Sequence, residues 1–289
     1  MSAGILVLLA AASGGRAFAA GGDAETISET GGAQAGSTRP SAEAVPRLDE
    51  RTALMVGARR LKLGVLFFDY GVTEHLSLGT SPPAWALRAF ASIFVPNVNV
   101  KFQFVDRDPV WVSAMVAGYY ANISEGNTSG HVLFAPVSLF ASVQPTRRFY
   151  LHGEGTYVFA RAFGDGDVTR AQIGGTLVAR ALQTQLMAEL RILRWLSLTA
   201  RGRVQVYTSP IRASGSGPLD PFTTGSIDAE LSPRIDRPWE IVGGFALLFE
   251  HFHLSLGAGY GTYFVPGMDL PLQRRGFVPD GSLSVLFTP

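Results

Sequence analysis

The sequence predicts an all-β protein: a transmembrane, antiparallel, up-and-down β-barrel of about twelve strands, with ten or fourteen as the alternatives. Three observations lead there. From about Arg51 to Pro289, apolar and polar residues alternate with period two again and again, the signature of strands with one apolar face. The runs Val110–Asn122, His131–Gln144, Phe149–Ala162, Trp195–Thr208 and Phe252–Val265 all reach the ~9–11 residues of a tilted membrane strand, whereas globular strands average about five or six. The connections also alternate in length. Gly71–Glu74, Asp106–Pro109, Pro145–Arg148, Arg191–Arg194 and Glu250–His251 are short, while Ser81–Pro96, Ile123–Gly130, Phe163–Thr169, Pro210–Pro238 and Pro266–Val278 are long. Short periplasmic turns opposite longer external loops are the plan of an outer-membrane barrel.

The elements follow in order. Ile5–Ala12 is a short apolar run followed by Ala17-Phe18-Ala19, so residues 1–19 read as a cleavable signal peptide. Residues 20–50 are rich in Gly, Ala, Ser, Thr and Glu without apolar periodicity and read as a flexible, low-complexity segment. The barrel is expected over 51–289. Its first strand lies near Arg51–Val56, turned by Gly57–Arg60 into a second at Leu61–Tyr70. Around Ala181–Leu182 the apolar parity switches, which predicts a β-bulge. Thr223–Leu231 reads as an arm of an additional external hairpin.

Alternation also assigns faces. Val98, Val100, Phe102 and Phe104 alternate with Asn99, Lys101 and Gln103; Leu198, Ala200, Gly202, Val204 and Val206 alternate with Arg201, Arg203 and Gln205. In lipid the apolar set must face outward, because an arginine there costs about 2–4 kcal/mol near the midplane. The expected lumen-lining residues are Lys101, Gln103, His152, Glu154, Arg180, Arg201, Arg203, Gln205, Glu240 and His253, with Glu250 and His251 beside them. Trp111, Phe149, Tyr150, Trp195, Trp239, Phe249 and Phe252 lie near strand ends and read as an interfacial girdle.

The run LKLGVLFFDYGVTEHLSLGTSPP, Leu61–Pro83, followed by PNVNVKFQF, resembles a family of uncharacterised bacterial outer-membrane β-barrel proteins. The elements carrying the resemblance are Tyr70-Gly71-Val72-Thr73, Gly79-Thr80-Ser81-Pro82, and Asn99 with Lys101. The resemblance implies a Gram-negative outer-membrane barrel and says little about activity.

Composition narrows the function classes. A net charge of +1 with no basic cluster gives no footprint for nucleic acid. The absence of cysteine excludes disulfides and thiolate metal sites. His251 and His253 share a face and could hold a cation only with a third ligand, so a surface turn explains them more simply. The acidic Gly164–Asp167 turn lacks the ligand spacing of a calcium site, and no metal or cofactor is expected. Ser255 near His253, and His152 near Glu154, match no hydrolase motif, so no enzyme is expected. Pro82–Pro96 reads as a short helix with an apolar stripe of Trp85, Phe90 and Ile93, a candidate constriction of the barrel mouth. The expected function is passive, porin-like transport of small solutes through a partly basic lumen. The alternatives are a closed structural or surface-interaction barrel and, third, a membrane-embedded hydrolase. The expected partners are outer-membrane lipid, the barrel assembly machinery and small solutes.

Overall fold

The computed structural model describes residues 51–289 apart from 86–93, 126–127, 169–170, 221–222, 232–236, 266–268 and 288–289. The expected signal peptide and low-complexity segment lie outside the described residues. The described strands are β1 Leu61–Gly64, β2 Phe68–Gly71, β3 Leu76–Thr80, β4 Asn97–Arg107, β5 Val110–Glu125, β6 Thr128–Thr146 and β7 Phe149–Val168. They continue with β8 Ala171–Leu193, β9 Leu196–Thr208, β10 Ile211–Asp220, β11 Thr223–Leu231, β12 Trp239–Leu248, β13 Phe252–Val265 and β14 Leu270–Phe287. Every pairing is antiparallel.

The ladder runs from β1 through β2 to β9, crosses to β12, and returns through β13 and β14 to β1. Twelve strands therefore close on themselves, which leaves the ring no open sheet edge in a medium that offers backbone groups no partner in exchange. The β10–β11 hairpin pairs with the far end of β8 and stands outside this ring, as the sequence indicates for Thr223–Leu231. A β-bulge is present near the parity switch but lies in β9, where Leu182 and Gln183 of β8 are opposite Tyr207 and Gln205. β8 itself keeps unbroken alternation against β7, so its parity switch is a change in what the two faces carry.

The count of twelve is reached by different strands at the N-terminus. Arg51–Val56 is no strand; it lies inside the barrel, with Thr52 and Ala53 fully buried. The expected single strand Leu61–Tyr70 is instead two, β1 and β2, joined by a tight turn in which Gly64 N–H donates to the Phe67 carbonyl at 2.9 Å. Two glycines of the Leu61–Pro83 run are required by close approaches. A Cβ at Gly71 would strike the Gly57 carbonyl, and one at Gly79 would strike Asp69, the Phe68 carbonyl and Asn99.

The exterior is apolar where lipid would meet it. Val98, Phe102 and Phe104 on β4 are at least half exposed, while Asn99, Lys101 and Gln103 between them are buried. Leu186, Leu190, Leu198, Ile241 and Leu256 are likewise exposed. At the short-turn end Trp195 stacks on Phe249, with ring centroids 6.1 Å apart, and Phe249 meets Phe252 at 6.4 Å. Trp111 and Tyr150 depart from the expected girdle and point into the lumen.

The wall is uneven. β1, β2 and β3 have four, four and five residues, whereas β6, β7 and β8 have 19, 20 and 23. The external loops expected at Ile123–Gly130 and Phe163–Thr169 are largely continuations of these long ladders.

Candidate functional site: the barrel interior

The lower interior is built around residues 51–56. Lys101 Nζ donates to the carbonyls of Thr52 at 2.6 Å and Leu54 at 3.1 Å, and Gln103 Nε2 donates to the Ala53 carbonyl at 3.0 Å. The Ala53 N–H in turn donates to Ser142 Oγ at 2.9 Å, and Arg51 reaches Asp280 at 3.3 Å. Ala53 and Leu54 rest on an apolar floor of Trp111, Met115, Phe140 and Tyr150. The alternation in β4 sends Lys101 and Gln103 inward, where they meet main-chain carbonyls and not open water.

Beside this segment lies a hydroxyl, imidazole and carboxylate in sequence. Ser142 Oγ is 2.8 Å from His152 Nδ1, and His152 Nε2 is 3.7 Å from Glu189 Oε2. Ser142 Oγ also accepts from the Ala53 N–H, and its own proton is available to His152 Nδ1 when the imidazole carries its hydrogen on Nε2. That order resembles a nucleophilic relay, but the serine oxygen is taken by the main chain of residue 53. Glu189 also pairs with Arg191 at 3.2 Å, and Arg191 lies over the Tyr150 ring at 4.7 Å.

Above it is a charged layer whose cations all meet acids. Arg201 pairs with Glu240 at 3.1 Å and Asp280 at 3.2 Å, and Arg203 with Asp269 at 2.6 Å. Arg203 also lies over the Phe264 ring at 4.5 Å. Glu154 accepts from Thr156 at 2.7 Å and Gln185 at 3.0 Å, and Gln183 Nε2 donates to the Asp269 carbonyl at 2.8 Å. The patch expected to be basic is thus mixed in charge. Buried ions of this kind persist only when paired and hydrogen-bonded.

Higher still the interior turns apolar. Ala117, Tyr119, Ala121, Phe134 and Val158 form a buried cluster with Ala84 and Val95, and Val132, Ala160, Ala181, Val265 and Leu270 pack against it. Ala84 and Val95 are the described ends of the connection between β3 and β4. The Asn97 amide ties that connection down, accepting from Ser81 N–H at 2.6 Å and donating to the Ser81 carbonyl at 3.1 Å. Helix is present at Pro82–Trp85, but Ser81 Oγ donates to the Leu66 carbonyl at 3.2 Å instead of capping it.

Lys101, Gln103, His152, Arg201, Arg203, Gln205, Glu240 and His253 are buried in the interior, and Glu154 is half-buried there. Arg180 is a correction. β8 stays in step with β7 past Leu182, so Arg180, opposite Phe159, is on the outer face and exposed. Glu250 and His251 are likewise not in the lumen; they form the exposed turn before β13. Trp85 does not constrict the lumen: it is exposed and meets Phe68 edge-on at 5.7 Å, on the face shared by Leu63 and Thr80. Phe90 and Ile93 lie outside the described residues. Sequence reading missed Ser142, Glu189, Asp269 and Asp280, although the even-numbered positions of β6 were open to inspection for a hydroxyl facing His152.

A closed twelve-stranded ring with an apolar exterior, an aromatic belt and charges held inside has one natural solvent. The fold is that of an outer-membrane β-barrel. No protein-family model matches the sequence, and no curated protein matches it. Among solved structures, the Pseudomonas putida toluene transporter TodX is 12% identical with a TM-score of 0.42, over 78% of this chain and 76% of that one. The translocator domain of the autotransporter NalP from Neisseria meningitidis is 9% identical with a TM-score of 0.34, over 79% and 85%. The CymD monoaromatic hydrocarbon channel is 9% identical with a TM-score of 0.36, over 81% and 89%. The geometry above, and not these likenesses, carries the reading that follows.

Proposed function

We propose that this protein is an outer-membrane passage for small solutes whose lower end is closed by its own residues 51–56. The observation that carries this reading is how that segment is held. It contributes no strand to the wall, so its departure would break no barrel ladder. It is fixed by hydrogen bonds from Lys101 and Gln103, one to Ser142, and the Arg51–Asp280 pair. In this reading the chain is exported with its signal peptide removed, is inserted by the barrel assembly machinery, and performs no catalysis.

The test is conductance of the refolded full chain in planar bilayers. Lys101→Met with Gln103→Leu removes the donors to Thr52, Ala53 and Leu54, and channel openings are expected to become frequent. The natural chain has no cysteine, so adding Ala53→Cys and Ser142→Cys to that variant introduces its sole thiol pair. Oxidation should shut the channel again and reduction reopen it. A loosened variant that conducts no more than the natural chain would instead support the closed structural barrel, in which the mutually paired charges of the middle layer are a permanent filling.

A further inference from the structure

The polarity of the wall inverts along β6, β7 and β8. Low on these strands the inner face carries Ser142, His152 and Glu189, and the outer face carries Leu139 and Leu190. Near their external ends the pairing brings Val132, Ala162, Leu177 and Ala213 into one cross-strand row, and Gly130, Gly164, Gly175 and Gly215 into the next row on the same face. Alternation places both rows on the face of buried Phe134 and Val158, the interior. The rows on the other face include Arg161 and Arg212, opposite Val178. A trough of about 630 Å³ runs along the apolar and glycine rows, lined by Val132, Ala162, Leu177, Ala213 and three of the glycines, and also touched by Ser129, His131, Phe163, Thr176 and Ser214 of the alternate rows. The intervening His131, Phe163, Thr176 and Ser214 turn their side chains to the opposite face.

A water-filled mouth gives no reason for an apolar inner face, since leaving it wet forgoes ~25 cal/mol per Å² of burial. Soluble surfaces keep such patches for binding. The volume lies within the ~300–1,000 Å³ of small-molecule sites, which are mostly apolar. At the foot of the trough Val132 packs against the Tyr119–Phe134–Val158 cluster, and Arg161 and Arg212 are on the far face. We propose that this external chamber is a binding site for a small, uncharged, apolar molecule. The site lies above the charged layer and is independent of whether residues 51–56 ever leave the lumen.

The test uses naphthalene as the probe and naphthalene-1-sulfonate as its charged counterpart, in equilibrium dialysis against the refolded full chain in amphipol. Saturable naphthalene binding above empty amphipol is expected, with the sulfonate at least about tenfold weaker because its charge would be buried without a partner. Leu177→Asp and Val178→Asp add the same charge to adjacent residues on opposite faces of β8. Leu177→Asp should weaken naphthalene about tenfold or more, and Val178→Asp, outside the trough lining, should leave it within about twofold. No saturable binding, equal binding of the two probes, or equal loss in the two variants would each overturn the proposal; the first is also the result if another part of this chain fills the trough. Conductance is read on the same preparations. Binding without openings leaves the site standing and removes the passage, and openings without binding do the reverse.

Discussion

The lower and upper halves of the interior are lined by the same strands and yet are opposites. Below, Ser142, His152, Glu189, Arg191, Arg201 and Glu240 are buried in a hydrogen-bonded network. Above, Phe134, Val158, Ala160 and Ala181 pack as an ordinary apolar core. The difference shows that alternation reports only which residues share a face. What each face carries depends on its surroundings: lipid outside forces charges inward at one level, and water outside allows Arg161, Arg180 and Arg212 outward at the next. The lower half holds its charged side chains in pairs, and the upper half is mostly apolar.

The largest effect should come from breaking a pair in the lower half. Arg201→Met would leave Glu240 and Asp280 without that cation, and removing one partner of a buried pair costs ~3–5 kcal/mol. The expected outcome is loss of the compact, heat-modifiable band on gels at urea concentrations where the natural chain keeps it. Retention of that band would mean water already reaches Glu240, and the charged layer would be a wet lumen.

A smaller effect should mark the upper half. Val158 faces Pro136 on β6 and Ala181 on β8, so Val158→Thr keeps the shape and adds a hydroxyl with no partner. The expected cost is ~1–3 kcal/mol, read as a lower urea midpoint. A few residues below, the reverse holds: Thr156 and Ser138 already share a hydrogen bond at 2.8 Å, and Thr156→Val should destabilise by orphaning Ser138 and loosening Glu154. If Val158→Thr were neutral, the upper half would be hydrated and the comparison would fail.

These contrasts also explain what was legible. The ring of twelve, its outward face, and the inward course of Lys101, Gln103, Arg201 and Arg203 follow from period two and run length. Arg51–Val56 was misread because Ala53, Leu54, Met55 and Val56 are as apolar as a wall strand. A short segment lying on Trp111 and Phe140 inside a barrel has the same local pattern as one facing lipid. Trp111 and Tyr150 were misassigned for a related reason: an aromatic near a strand end suits either the lipid interface or the lumen floor, and only the register separates them. Arg180 was placed inward by extending the membrane rule above the membrane. Asp269 and Asp280 could not be matched to Arg203 and Arg201 because each pair joins β9 to a residue just before or within β14, a strand that is not its neighbour in the sheet.

The smallest effect isolates the contact on which residues 51–56 depend. Ser142→Ala removes the acceptor of the Ala53 N–H and the partner of His152 Nδ1 while leaving Lys101 and Gln103 in place. Orphaning a buried group costs ~1–3 kcal/mol; the Ala53 part of that cost falls on a segment outside the barrel ladder, and the His152 part falls on the wall. The urea midpoint should therefore fall no further than in Ser255→Ala, while amide exchange at Ala53 speeds up by about tenfold or more, since 1.4 kcal/mol is tenfold. Ser255→Ala is the matched control, because it breaks the 2.7 Å contact with Ser282 and touches nothing in residues 51–56. If both variants moved the midpoint together and neither changed exchange at Ala53, the segment would be an integral part of the barrel's stability. The lower half would then be a filled core like the upper one, differing only in being filled with charge.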